Sequence, residues 1–190
     1  MTTQTVTRVT PDEYLAFERQ TETKNEYADG VFYEVPSANV RHVQIVAGFA
    51  TEIGRQLKTR PYSVLMSQMK VRLQDSRKFF YPDVSVIDDR EVQFHDGQKD
   101  IILNPIIVVE VLSESTEAFD RGAKFHAYQT LDSLNEYLLV SQDRPVIEHY
   151  VREGRRTWGY WAVKGLESSL ALPSIECTLN LSAVYDKVEF

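Results

Sequence analysis

The run Ile106-Ile-Val-Val-Glu-Val-Leu112 constrains this chain more than any other stretch. Apolar residues fill both its even and its odd positions, so a strand here must be covered on both faces. That demands a sheet with layers packed on either side, and it puts this strand at the sheet's centre. Glu110 sits inside the run. An isolated carboxylate costs several kcal/mol to bury, so the position needs a cation, hydrogen-bond donors, a proton or a metal.

The flanking segments predict the rest of the architecture. Thr10-Pro11-Asp12-Glu13 has the cap, the first-turn proline and the following acid of a helix start, and the helix should run to about Arg19. Asp29-Gly30 inside NEYADGVFYEV predicts a tight hairpin. Val43, Val46, Ala50, Ile53 and Leu57 recur every three or four positions, which predicts an amphipathic helix over 38–59 that Arg60-Pro61 ends. Residues 62–73 and 79–87 each read as one strand, and 88–100 as a loop in which His95 is solvated. A helix is expected over 117–130, capped by Ser115 or Thr116. EYLLVS, PVIEHYVR and TWGYWAV read as strands, and LNLSAVYDKV as a short terminal helix. This order predicts an α+β (α/β-like) fold with a mixed central sheet flanked by helices. Neither a low-complexity linker nor an internal repeat interrupts it, so one domain over residues 1–190 is expected.

Charge and composition bound the function. The longest apolar runs are too short and too interrupted to cross a bilayer. MTTQTVTRVT lacks the apolar core of a signal peptide, and Cys177 stands alone, so a cytoplasmic protein with no membrane partner is expected. A net charge of −7 argues against broad, nonspecific adhesion to nucleic acid. It leaves room for a local basic groove, for which Arg55, Lys58, Arg60, Lys70, Arg72, Arg77 and Lys78 are candidates, although such clusters are more often solvated faces.

Asp83 in YPDVSV and Glu110 in VVEVL meet at one sheet end if their strands are neighbours. Asp120, Lys124 and Tyr128 share one face of the following helix, at i, i+4 and i+8. Two carboxylates and a lysine are the minimum set for metal-dependent phosphodiester hydrolysis. The acids would hold Mg²⁺, with Mn²⁺ as a substitute, and the amine would orient or deprotonate water or offset phosphoryl charge. The same residues read equally well as a turn aspartate, an edge acid and a surface ion pair. His42, His95, His126 and His149 lack metal-ligand spacing together, and Phe79, Phe80 and Tyr81 read as core.

The ordered set P-D, E-V-L-S-x-S-T, D-R-G-x-K and E-Y-L-L-V resembles the Uma-type endonucleases of the PD-(D/E)XK superfamily, and the likeness runs from residue 25 to residue 150. It implies a restriction-endonuclease-like fold and DNA as partner. Asp83 and Glu110 match the metal-binding acids, the Val111 carbonyl a further metal ligand, and Glu26 an acid that assists metal or water. His42 matches a position often occupied by histidine. The lysine usual two residues after the second acid is absent, because Leu112 stands there, so the resemblance implies Lys124 as its replacement. A homodimer is the default for an enzyme cutting duplex DNA. Two other readings compete: a catalytically silent nucleic-acid-binding or interaction module that keeps the fold, and a hydrolase of RNA or a small phosphoester.

Overall fold

The structure, a computed structural model, describes residues 8–73 and 77–190. Residues 1–7 of the segment read for its lack of a signal-peptide core lie outside that range. In chain order the elements are helix α1 (Pro11–Glu18), strands β1 (Asn25–Ala28) and β2 (Val31–Glu34), and helix α2 (Val40–Leu57). Strands β3 (Tyr62–Met66), β4 (Lys70–Leu73), β5 (Lys78–Phe80), β6 (Val84–Asp88), β7 (Ile101–Ile102) and β8 (Ile107–Val111) follow. A helix over 117–128 leads to β9 (Glu136–Val140), β10 (Val146–Arg152), β11 (Trp158–Lys164), β12 (Ser169–Leu172) and β13 (Cys177–Asn180). A short helix, Leu181–Val184, comes last.

Six strands form the main sheet in the order β11-β10-β9-β8-β6-β3, with β8 parallel to β9 and antiparallel to β6. The sheet is mixed, and β8 is interior, as its two-faced apolar pattern requires. Ile107, Val109 and Val111 face a core shared with α2, the β12–β13 hairpin and the terminal helix. Val108 and Leu112 face the opposite core, built with Phe125, Tyr128 and the second sheet. That second sheet has the order β2-β1-β5-β4-β7, and α1 closes its outer cluster of Tyr14, Leu15, Tyr27, Phe79 and Ile101.

Local signals hold at the first helix and hairpin, whereas Thr116, at the N-cap of the 117–128 helix, makes no side-chain capping bond. Thr10 and Glu13 form the reciprocal capping box at α1. Asp29 and Gly30 adopt φ of 53° and 96°, the left-handed pair that a tight hairpin needs. On α2 the buried stripe is Ile45, Val46, Phe49, Ile53 and Leu57, so it is rotated from the predicted one and leaves Val43 exposed. Gly48 explains part of that packing: a Cβ there would fall 2.3 Å from the Val184 carbonyl oxygen, so the terminal helix can lie directly on α2.

Two single strands expected from sequence are each split. Residues 62–73 divide into β3 and β4, and 79–87 into β5 and β6, with one half of each in either sheet. β3 pairs with β6, and β4 with β5, so the four make one hairpin bent across two sheets. The bend lies where Pro82 has no N–H to give a ladder. Ser67 crosses it, donating its N–H to the Asp83 carbonyl at 3.0 Å. Within 88–100, the expected loop contains a 3₁₀ turn at His95–Gly97. His95 is not solvated: Arg72 reaches its Nδ1 at 2.7 Å, and its side chain is 12% exposed.

Candidate active site

The β6–β8 register aligns Val84 with Val109, which sets Asp83 opposite Glu110 one step beyond the last recorded pair. Alternation turns Glu110 toward the second sheet and the 117–128 helix, between Val108 and Leu112. That helix carries a π turn over Asp120–Lys124, a distortion that recurs at functional sites. Asp120 and Lys124 are both buried.

Lys124 is the hub. Its Nζ lies 2.9 Å from Glu110 Oε1, 3.0 Å from Glu26 Oε1 and 3.5 Å from Asp120 Oδ1. Glu26 comes from β1 and also accepts the Tyr81 N–H at 2.9 Å. The lysine thus reaches Glu110 from the following helix, with Leu112 turned into the apolar core instead. Asp83 stands at the rim. Its Oδ2 accepts the Val111 N–H at 2.7 Å, and its Oδ1 lies 2.9 Å from His42 Nε2. Asn39, which caps α2, accepts the His42 N–H at 2.9 Å and so fixes the turn that carries the imidazole.

The cluster is short of positive charge. One ammonium faces Glu26, Glu110 and Asp120, with Asp83 close by. Burial pushes the Glu110 carboxyl well above the ordinary carboxylate range. Lys124 partly offsets that shift, and the charges of Asp120, Asp83 and Glu26 add to it. Burial also opposes charge on Lys124, but Glu110, Glu26 and Asp120 outweigh it, so the ammonium is held well above the usual lysine range. Lys124 is therefore a fixed cation that can orient or neutralise, and a poor proton acceptor in this state.

These residues fit a hard divalent cation. Glu110 Oε1 is fully enclosed, and its described polar neighbour is the shared Lys124 Nζ at 2.9 Å. The N–H and C=O of one extended residue point to the same strand edge, so the Val111 carbonyl faces the Asp83 side with its N–H. Two carboxylates and a carbonyl are the all-oxygen donors Mg²⁺ takes. Among the described residues no group of three His, Cys, Asp or Glu side chains is placed to hold a metal ion, so the fit rests on two acids and the carbonyl.

Asp83, Glu110, Lys124, Glu26 and Val111 thus gather at one sheet end, with His42 held against Asp83. Asp120 joins them, although sequence reasoning gave it no role beyond the helical stripe; its spacing to Lys124 was the available signal. Tyr128, the next member of that stripe, buries a hydroxyl that has no partner among the described residues. The basic residues of 55–78 do not form one groove. Arg55 pairs with Glu52 on α2, Arg60 with Glu176 beside the β12–β13 hairpin, and Lys70 with Asp100 and Lys78 with Asp29 at the second sheet. No described helix is long and apolar enough to cross a membrane.

The family profile of Uma2, described as "Putative restriction endonuclease", matches residues 11–183. Two relatives come from Synechocystis sp. (strain ATCC 27184 / PCC 6803 / Kazusa). "Uncharacterized protein sll1609" is 34% identical over 150 residues, covering 79% of this chain and 84% of its own. "Uncharacterized protein slr1290" is 32% identical over 189 residues, covering 96% and 94%. A crystal structure described as "a putative nuclease belonging to DUF820" from Anabaena variabilis ATCC 29413 superposes with a TM-score of 0.77. It has 17% identity and covers 95% of this chain and 99% of its own, which establishes a shared α+β fold.

Proposed function

The chain belongs to the Uma2 family, and on that premise we propose that it is a Mg²⁺-dependent endonuclease hydrolysing phosphodiester bonds of DNA at the Asp83–Glu110–Lys124 cluster. The observation that carries this reading is the 2.9 Å approach of Lys124 Nζ to Glu110, in a chain with leucine at the family's usual lysine position. Asp83, Glu110 and the Val111 carbonyl would hold the cation. When bound, Mg²⁺ supplies charge stabilisation at phosphoryl oxygen and a more acidic water. Lys124, kept charged by its acids, offsets the negative charge that grows on the phosphoryl oxygens and orients the attacking water. Glu26, anchored by the Tyr81 N–H, holds the ammonium from the side opposite the helix. His42 keeps the Asp83 carboxylate aimed while Val111 fixes its other oxygen. Cutting both strands of a duplex would call for a two-fold homodimer.

The test is cleavage of plasmid and single-stranded DNA with Mg²⁺ or Mn²⁺, comparing wild type with Asp83→Ala. Wild type is expected to cut, and the variant to lose at least about a hundredfold in rate. Equal inertness, or equal activity, sinks the assigned site. One observation favours a silent binding module instead: Lys124 partly compensates the acids. In that case DNA binds with a salt-dependent affinity, while Mn²⁺ leaves the Asp83 and Glu110 carboxylate NMR signals unbroadened.

A further inference from the structure

A pocket of about 270 Å³ opens between the β1–β2 hairpin and the 117–128 helix, beside the acidic cluster. Phe80, buried at 1% exposure, links the pocket to the acidic cluster from beneath. Its ring lies 5.6 Å from Lys124 Nζ and meets Phe119 edge-on, with centroids 5.9 Å apart. Tyr33 stands over the same Phe119 at 6.1 Å, with the rings 28° apart, and is 47% exposed. A tyrosine left this open beside a stacked phenylalanine presents a flat π surface to solvent. Arg8 and Lys78 line the pocket too. Asp29 lies 3.4 Å from Lys78, so two cations stand against one acid there. Arg8 is held in place by its stem, which packs on Gly30 so closely that a Cβ at Gly30 would fall 2.8 Å from Arg8 Cβ.

An exposed aromatic face with a cationic rim matches a nucleobase and the phosphate next to it. In a duplex both base faces are already stacked, so only an unpaired or extruded base can use such a wall. A net charge of −7, with Arg55, Arg60 and Lys70 paired internally, also offers little surface for gripping duplex backbone. We infer that the Tyr33–Phe119 face of this pocket takes an unpaired base of the strand held at the neighbouring acidic cluster, and that the protein prefers single-stranded to duplex nucleic acid. The inference rests on the nuclease reading for the identity of the neighbouring site.

Binding is measured in chelator, so that it does not depend on cleavage. The probe is a single-stranded DNA oligonucleotide carrying a fluorescent adenine analogue, alone or annealed to its complement. Wild type is expected to quench the analogue and to bind the single strand at least about tenfold more tightly than the duplex. Tyr33→Leu, which keeps apolar volume but removes the ring, should weaken single-strand binding about tenfold. Tyr33→Phe should retain it. Equal affinity for the two forms, no binding of either, or unchanged binding in both Tyr33→Leu and Phe119→Leu overturns the inference. Ring-dependent, single-strand-selective binding by a protein that cuts nothing upholds the pocket and sinks the nuclease reading. Cleavage with an unchanged strand preference in Tyr33→Leu does the reverse.

Discussion

Two glutamates lie buried on neighbouring strands of the main sheet, and their surroundings differ in kind. Glu136 on β9 faces the α2 side, fully enclosed. One of its oxygens accepts the Ser174 N–H at 2.8 Å and also the Ser174 hydroxyl, and the other lies 2.6 Å from His149 Nε2. That arrangement pins the 3₁₀ turn Pro173–Ile175 to the sheet and leaves the carboxylate nothing further to bind. Glu110 on β8 faces the opposite side. It shares one lysine with two other acids, and that lysine is the described polar partner of its Oε1. Burial is common to both, so burial alone does not mark a site of chemistry. What separates them is incomplete compensation, which a protein keeps only at a cost in stability.

The sharpest way to break this contrast is Glu136→Ala. It strips His149 and Ser174 of their shared acceptor and should cost about 3–5 kcal/mol in urea unfolding, with DNA cleavage per folded molecule unchanged. A loss below about 1 kcal/mol would mean that the closed site is not structural. Lys124→Met should follow at about 3 kcal/mol, since it leaves three acids without their cation. Combined with Glu110→Gln, it should cost less than the two single losses added, because the residues share one network. Glu110→Gln alone should act in the opposite sense to Glu136→Ala. Cleavage should fall about a hundredfold, while unfolding free energy changes by less than about 1 kcal/mol, because a neutral amide removes a charge that burial opposes.

The smallest effects compare two tyrosines in the same terms. Tyr185 donates its hydroxyl to the Val146 and Ser141 carbonyls on the closed side, whereas the Tyr128 hydroxyl has no described partner. Tyr185→Phe should lose about 1 kcal/mol, and Tyr128→Phe should be neutral or slightly stabilising. Burial raises both phenols above the ordinary tyrosine range. An unfolded chain ionises its tyrosines near pH 10, and the folded chain does so only at higher pH. These two phenols therefore contribute stability that is constant below about pH 10 and lost as pH climbs beyond it. Alkaline difference absorbance should show them titrating only together with unfolding.

Several features of this protein are readable from its chain alone, because they act over a few residues. The two-faced apolar run fixes β8 in the sheet interior, Thr10 and Glu13 close their own cap, and Asp29-Gly30 takes the positive φ values its hairpin requires. The i, i+4 spacing of Asp120 and Lys124 likewise put them on one face. The bend that divides one hairpin between two sheets is marked in the chain by Pro82 alone, since 62–73 keeps a strand's pattern whichever sheet its residues join. The β12–β13 hairpin was not among the elements read from the sequence. Tertiary structure alone decided that Glu26, distant in sequence, closes on Lys124, and that Glu110 is left undercompensated while Glu136 is satisfied. The physical reason is range. Backbone conformation and side-chain parity are set by near neighbours in the chain, whereas charge compensation in a low-dielectric interior depends on through-space distances that only packing establishes.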